Sequence, residues 1–269
     1  MGASSGIDRL CRSRKALQMH KTATSMEYTR VKHTGDLHTV RCARSFDELI
    51  NPRILGAPKV TAPLFLFRGQ TCDGPLLPAV AREPHSGTDR TVLEMSAAGE
   101  LQRRLAFKNF SSETALNRLV VAQHYGMRTR LLDWTENILI ALWFACAGPE
   151  KKGYLWRFQV PQNQIAEESV DPFSYVEDKP VLVVRPQWHD PRAAAQHSAF
   201  TLHRLKAKDT PWTPLERMPD FGKHLGKDEI SSELCAETIE RLGLLGVTEE
   251  SIFPGIEGTC KYISRSFSL

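Results

Sequence analysis

Alternating hydrophobic and polar positions indicate strands at several places along the chain. Leu64 to Arg68 has the sequence LFLFR, so its two aromatic side chains fall on one face of a strand. Gly153 to Val160 and His197 to Arg204 alternate in the same way. Val181 to Val184 is a continuous apolar run between two prolines, which is typical of a buried strand. Most of these strands lie in the second half of the chain.

Helical spacing and capping residues predict helices between and after these strands. The apolar segment Ile138 to Ala147 is hydrophobic on every face, so we expect its helix to lie at the centre of the fold. About ten apolar residues are too few to span a bilayer. The predicted helices are Ser45 to Leu55, Thr91 to Phe110, Ser111 or Ser112 to Gly126, Asp133 or Thr135 to Ala147, and Ile230 to Leu242.

The order of these elements predicts an α+β fold with a mixed sheet flanked by helices. Strands and helices do not alternate regularly, and no glycine-rich nucleotide motif is present. Asp209 to Gly226 is predicted to be a long loop. Residues 1–34 are basic and poor in large apolar side chains, which predicts a disordered extension. Residues 37–262 are predicted to form one domain.

Composition narrows the possible functions only modestly. The chain has 269 residues and a net charge of +4, too small a charge to favour nucleic acid or a membrane surface as a partner. The cysteines are scattered without a C-x-x-C pair, which favours reduced thiols in a cytoplasmic protein. No signal peptide is recognised. The histidines lack metal-ligand spacing, so we expect no metal site.

A polar seam beside the apolar helix is the candidate ligand site. Gln123, His124 and Tyr125 precede it closely, and Asp133 follows a pair of arginines. Polar groups beside a buried element must be paired or they cost stability, so such a concentration indicates a site. His124 is either a general acid/base or a helix-capping histidine. Asp133 is either a reactive carboxylate, a helix N-cap or an ion-pair partner of Arg128 or Arg130.

Arg68 is a second polar residue beside apolar ones, at the end of its predicted strand. A buried arginine is costly unless it is paired, so its position implies either a structural carboxylate partner or an anionic ligand.

Several segments occur together in the order found in one family. They are FLFRGQ at Phe65 to Gln70, LVVAQHYGMRTRLLDWTENILIALWFA at Leu119 to Ala145, PRAAAQHSAFTLH at Pro191 to His203, and LGLLGVTEESIFPGIEG at Leu242 to Gly258. The chain thereby resembles the FRG-domain family, named for its Phe-Arg-Gly motif, over residues 37 to 262. Two segments depart from the family pattern, at Gln196-His197-Ser198 and at Phe253-Pro254-Gly255-Ile256.

The chain also resembles, more distantly, the arginine–serine–glutamate class of ADP-ribosyltransferases. That likeness implies that Arg68 binds the phosphates of NAD and that Asp133 to Thr135 shapes the nicotinamide pocket. Gln196 lies where the class has its catalytic glutamate, so an amide replaces the expected carboxylate. Arginine suits a pyrophosphate because its fork donates two charge-assisted hydrogen bonds. Tyr125 or Trp134 is expected to stack on a ligand ring.

The resulting hypothesis is an ADP-ribosyltransferase-like or NAD glycohydrolase domain, with a protein as a possible acceptor and a bacterial toxin or defence effector as a possible role. The alternatives are a nucleotide-sensing module without turnover and an interaction protein without a ligand. The candidate catalytic residues are Asp133, His124 and Glu257. The candidate residues for binding NAD are Arg68, Gly69, Gln70, Gln123, Tyr125, Arg130, Trp134, Thr135, Gln196 and Phe200.

Overall fold

The computed structural model describes most of the chain from residue 38 onward. The described ranges are 38–51, 63–82, 89–106, 114–148, 152–167, 170–174, 179–188, 190–204 and 212–267. The predicted extension at residues 1–34 therefore lies outside the described residues.

A single mixed sheet of seven strands organises the described residues. Its order is β1-β7-β4-β2-β3-β6-β5. β1 pairs with β7 in parallel and the other neighbours are antiparallel. The strands are β1 Thr39–Cys42, β2 Phe65–Gln70, β3 Leu131–Thr135, β4 Gly153–Gln159, β5 Val181–Val184, β6 Ser198–His203 and β7 Leu225–Ile230. The predicted α+β architecture with a mixed sheet is confirmed.

Helices in the described residues pack against the sheet and against one another. They are α1 Phe46–Leu49, α2 Arg90–Arg104, α3 Ala115–His124, α4 Ile138–Cys146, α5 Pro191–Ala195, α6 Pro219–Gly222, α7 Ser232–Leu244, α8 Glu249–Ile252 and α9 Ile256–Ser266. None of the helices in these ranges is long and apolar enough to cross a membrane.

The apolar helix α4 lies against the sheet as predicted. Ala141 and Leu142 are completely buried and share a core with Phe67, Leu155 and Ile230 from three strands. The opposite face of the sheet carries a second core that includes Leu66, Leu132, Trp134, Trp156 and Phe158. Strand β2 is therefore buried on both faces, because neighbouring side chains point to opposite sides of a sheet.

The sheet is split between β2 and β3. β2 pairs with β4 through six residues, from Phe65 to Gln70, but with β3 only through Phe67 and Thr135. β3 pairs over its whole length with β6 on its other side. Beyond Phe67 the two strands diverge, and a gap opens next to Arg68.

Three elements differ from the sequence-based predictions. Asp133 lies in strand β3 and does not begin a helix; α4 begins after Asn137, whose side chain accepts a hydrogen bond from the Leu139 N–H at 2.9 Å. The predicted loop Asp209 to Gly226 is wrong over its described part, because it contains α6 at Pro219–Gly222 and because β7 begins at Leu225; residues 209–211 lie outside the described residues. The helix predicted from Ile230 begins at Ser232.

Several helix boundaries also shift. Ser45 caps α1 as predicted, but the helix ends at Leu49. α3 is capped by Thr114, whereas the predicted caps Ser111 and Ser112 lie outside the described residues. Gly126 has the left-handed backbone expected after a helix, with φ of 94°.

Candidate functional site

A cleft of about 290 Å³ lies at the split between β2 and β3. Strands β2 and β3, the end of α3, and α4 and α5 supply its walls, so it collects residues that are far apart in sequence. Its lining residues are Phe67, Arg68, Gly69, Gln123, His124, Asp133, Trp134, Thr135, Ala141, Phe144, Arg192, Gln196 and Ser198.

Arg68 reaches across the gap between the two strands. Its Nη1 donates to the backbone oxygen of Asp133 at 2.8 Å, a carbonyl that the short β2–β3 ladder leaves available. Nη1 also lies 3.7 Å from Asp133 Oδ2. The side chain is 14% exposed, and its Nε is buried without a hydrogen-bond partner among the described residues. Burial lowers the pKa of Arg68, while Asp133 acts in the opposite direction.

Asp133 is the centre of a short polar network. Its Oδ1 accepts a hydrogen bond from Gln123 Nε2 at 2.5 Å. Thr129 Oγ1 donates to Gln123 Oε1, which fixes the orientation of that amide. The Asp133 side chain remains 56% exposed, so the carboxylate still faces the open part of the cleft. It is the one carboxylate among the lining residues of the described chain.

The short helix α5 places a second arginine in the cleft. Asp190 caps this helix by accepting hydrogen bonds from the Arg192 and Ala193 N–H groups at 2.8 and 3.3 Å. Arg192 Nη1 donates to the backbone oxygen of His124 at 3.2 Å, and its guanidinium lies 4.8 Å from the ring centroid of Phe253. Its Nε is also buried without a hydrogen-bond partner in the described part of the chain.

A hydrogen bond between Thr135 and Gln196 attaches the end of α5 to β3. Thr135 Oγ1 donates to the backbone oxygen of Gln196 at 2.7 Å. The Gln196 amide donates to the backbone oxygen of Ile252 at 3.3 Å. The amide that replaces the glutamate expected from the resemblance therefore helps to hold α8 in place.

His124 lies at the end of α3 and is 6% exposed. Its Nδ1 is 3.9 Å from Asp190 Oδ1 and has no hydrogen-bond partner within the described ranges. Burial lowers the pKa of His124, and Asp133 and Asp190 partly oppose that shift. The sequence left open whether His124 caps a helix or acts as a general acid/base; in the structure its side chain lines the cleft.

Gly69 allows α4 to approach β2 closely. A Cβ at this position would lie 1.9 Å from the backbone oxygen of Ala141 and 2.4 Å from the backbone nitrogen of Ala145. A side chain cannot fit there, so the glycine of the Phe-Arg-Gly triplet has a packing reason. Phe67 beside it contributes to the core shared with α4.

Some candidate residues lie outside the cleft. Arg130 is 1% exposed, and its Nε donates to Glu94 Oε2 at 2.8 Å, so a buried ion pair occupies it. Phe200 is completely buried in a different core. Gln70 Oε1 accepts a hydrogen bond from the Trp156 indole at 2.9 Å and is not a lining residue.

Tyr125 and Glu257 also lie outside the cleft, whereas Trp134 lines it but is almost completely buried. Tyr125 is 80% exposed and does not line the cleft. Trp134 is 3% exposed, and its indole N–H donates to Thr201 at 3.1 Å, so its ring is fixed in the second core. Phe144 is the half-buried ring that lines the cleft. Glu257, on α9, is 77% exposed and binds Lys261 at 2.6 Å; this hydrogen bond lowers the pKa of Glu257, and the charge of Arg192 adds a smaller effect.

Sequence reasoning missed Arg192 and Phe144. Arg192 lies within the segment PRAAAQHSAFTLH, beside a proline and a capping aspartate, so helix-start chemistry was visible there. Its direction into the cleft was not visible, because the segment joins β3 only through β6.

A larger cavity of about 620 Å³ lies elsewhere, lined by Trp156, Trp212, Lys227 and Asp73 among others. The buried Lys227 ammonium already binds Asp73 at 2.5 Å and lies 4.8 Å from the Tyr154 ring centroid. None of the residues predicted from the sequence lines it. The smaller cleft is the stronger candidate because its buried nitrogen atoms lack partners.

Residues 64–153 match the family model described as FRG domain. An FRG domain is therefore present in the chain, and the match covers Arg68, Gly69, Gln123, His124 and Asp133. Arg192 and Gln196 lie beyond it. No curated protein and no solved structure matches the chain.

Proposed function

We propose that the cleft between β2 and β3 binds a nucleotide through its phosphate groups, which are held by Arg68 and Arg192. The proposal rests on the hydrogen bonding of the two guanidinium groups, which is alike in both. In each of them Nη1 binds a backbone carbonyl, and a buried Nε has no hydrogen-bond partner among the described residues. A buried donor without a partner costs stability, and a bound anion would remove that cost.

The geometry of arginine suits a phosphate group. The Nε and Nη2 edge of a guanidinium donates two parallel hydrogen bonds that match two phosphate oxygens. Because Nη1 is the atom engaged by the protein in both arginines, this two-donor edge is left for a ligand. The backbone carbonyls hold each group in position, which reduces the entropy lost on binding.

The remaining walls of the cleft suit one nucleotide. Its volume of about 290 Å³ lies just below the range of about 300–1,000 Å³ for ligand pockets. Phe144 offers a ring against which a base or a nicotinamide can stack. A dinucleotide would place one half in the cleft and extend the other half beyond it.

NAD is the dinucleotide that we propose as the first ligand to test, on the basis of the resemblance to ADP-ribosyltransferases. The binding function without turnover is preferred, because Gln196 provides no carboxylate. Asp133 is already engaged by Gln123 and lies near Arg68. A protein that binds NAD without cleaving it would act as a nucleotide-sensing module.

A second candidate is cleavage of the bond between nicotinamide and ribose. Asp133 favours it, since a carboxylate that is 56% exposed in the cleft can stabilise an oxocarbenium-like transition state. Release of nicotinamide would leave ADP-ribose for water or for a protein acceptor. A role as a toxin or defence effector would follow from such turnover.

The test compares ligand binding by the wild type with that of arginine variants. We expect calorimetry to detect NAD or ADP but not adenosine. Arg68→Ala and Arg192→Ala should each weaken binding about 10- to 100-fold, because a hydrogen bond to a charged group contributes about 1.5–3 kcal/mol. Arg68→Lys should recover only part of the affinity, because lysine keeps the charge and loses the two-donor edge.

Arg103→Ala is the matched control, since Arg103 is 71% exposed and pairs only locally with Glu100. A folded Arg68→Ala variant with wild-type affinity for NAD and ADP would contradict the phosphate-binding role. Free nicotinamide is measured in the same samples. Its release by the wild type and its loss in Asp133→Asn would favour the enzyme over the sensing module, whereas neither binding nor turnover would favour an interaction protein.

A further inference from the structure

We infer that His124 is a third ligand-binding group of this cleft and that its imidazole takes up a proton when the anionic ligand binds. This inference rests on the proposed function, because it assigns a further residue and a proton to the same binding event. The proposed function assigns the ligand to Arg68 and Arg192 and gives His124 no role.

The position of the imidazole carries the inference. The side chain is 94% buried, since only 6% of its surface is exposed, yet it lines the cleft. Nδ1 is buried and lacks a hydrogen-bond partner among the described residues. The Phe200 ring packs on it at a centroid distance of 6.1 Å, and Arg192 holds its backbone oxygen. The protein therefore fixes this ring at the wall of the cleft, with Nδ1 3.9 Å from Asp190 Oδ1.

The charges around the imidazole show why a proton would follow the ligand. Asp133 on β3 and Asp190 before α5 contribute two negative charges, and Arg192 on α5 and Arg68 on β2 contribute two positive charges. The charges of these four groups sum to zero in the free protein. A phosphate adds negative charge to a partly buried site, where an uncompensated charge is costly.

Among the lining residues of the described chain, His124 is the group best able to supply the missing positive charge near neutral pH. Burial lowers its pKa in the free protein, which favours the neutral ring near neutral pH. A neighbouring anion favours the protonated form and raises the pKa. The proton comes from solvent or buffer, and the resulting imidazolium donates an N–H to the ligand oxygen.

Calorimetry in several buffers measures this proton directly. NAD is the probe, because its diphosphate keeps its charge between about pH 6 and about 8. The observed enthalpy is compared among buffers of different ionisation enthalpy, all free of phosphate. We expect the wild type to take up close to one proton at about pH 7, and its affinity to fall by up to about tenfold per pH unit as the pH rises.

His124→Asn and His124→Gln should bind NAD without proton uptake and with little dependence on pH. Each variant should be weaker than the wild type at about pH 6, by up to about 100-fold, and should converge with it at about pH 8. Two variants are used so that one folded protein is available, as checked by thermal unfolding. His224→Gln is the matched control, because burial also lowers the pKa of His224 but this residue does not line the cleft.

The outcomes separate the two proposals. Binding of NAD by the wild type without proton uptake would overturn the role of His124 and leave the phosphate-binding function intact. Undiminished proton uptake by a folded His124 variant would overturn it as well. Absence of binding by both NAD and ADP would overturn the proposed function, and this inference with it.

Discussion

Arg68 lies in β2 and Arg130 directly precedes β3 of the same sheet, but the surroundings of the two arginines differ. Arg130 is enclosed by protein: its Nε and its backbone N–H bind the two oxygens of Glu94, and Nη1 donates to the Pro172 backbone oxygen at 3.0 Å. Arg68 has Asp133 as its nearest carboxylate, at 3.7 Å, and it lines an open cleft. Arg130 is therefore occupied by an ion pair within the fold, whereas Arg68 is the arginine to which our proposal assigns a ligand.

Replacement of Arg130 tests this division. Arg130→Ala leaves the fully buried Glu94 carboxylate without its partner, and we expect a loss of about 3–5 kcal/mol in the free energy of unfolding, measured with urea. Affinity for NAD in the surviving folded fraction should not change. The double variant Arg130→Met with Glu94→Leu removes both charges and should recover much of the stability. A stable Arg130→Ala protein that no longer binds NAD would instead restore Arg130 to the binding site.

The sequence could not distinguish these two arginines. Arg130 lies close to His124 and Asp133 in the chain, which favoured its assignment to the same site. Its partner Glu94 lies 36 positions earlier, on α2, and no local pattern links the two. The association of Gln123 with Asp133, only ten positions apart, was by contrast accessible from their adjacent elements.

At the scale of elements, the hydrophobic pattern of the sequence was sufficient to predict those strands that contain few charged residues. Strands β2, β4, β5 and β6 were predicted within two residues at each end. β7 was missed because its sequence LGKDEI contains three consecutive charged residues. Two of them are buried in the structure, where Lys227 binds Asp73 and Asp228 binds Arg41. Partners 154 and 187 positions away make this strand possible, and the sequence pattern does not reveal them.

The contact between β2 and α4 gives a prediction about glycine. We expect Gly69→Ala to lower the free energy of unfolding by about 3 kcal/mol or more, because its Cβ would overlap the α4 backbone at Ala141 and Ala145. Displacement of α4 should also weaken binding of NAD. Thermal and urea unfolding measure the first effect, and calorimetry measures the second.

Gly99→Ala is the matched control for this substitution. Gly99 lies inside helix α2, and no heavy atom lies within 4 Å of the position that its Cβ would take. Alanine there should stabilise the protein by about 0.5–1 kcal/mol, because it favours the helix over the unfolded chain. Equal stability of Gly69→Ala and the wild type would mean that α4 can move away without cost.

At the scale of the whole molecule, the split makes the sheet two units that share a helix. β1, β7, β4 and β2 form one unit, and β3, β6 and β5 form the other. A single residue pair and the Arg68 side chain join them at the sheet, α4 packs against strands of both, and the second core contains residues of both. The cleft lies at this junction. Arg68 belongs to one unit, and Arg192 belongs to α5, which packs on β6 of the other unit.

This arrangement predicts that a bound ligand couples the two units. Phosphates held by Arg68 and Arg192 together would oppose separation of β2 from β3, so amide hydrogen exchange should slow in both units on binding. NAD at about 100 times its Kd should raise the free energy of this opening by about 2.7 kcal/mol. Amides that are exposed only by the opening should therefore exchange about 100-fold more slowly. Mass spectrometry of peptides from β2, β3 and α5 measures it.

Arg68→Ala and Arg192→Ala distinguish this coupling from simple shielding. Each variant removes one of the two attachments, so residual ligand bound at high concentration should protect only the unit that still holds it: the peptides of α5 and β6 in Arg68→Ala, and those of β2 and β4 in Arg192→Ala. Protection of both units in either variant would show that the two arginines do not act as a bridge. Protection confined to α5 in the wild type would mean that the ligand never reaches Arg68, and the split in the sheet would then be only a consequence of the packing of α4 on Gly69.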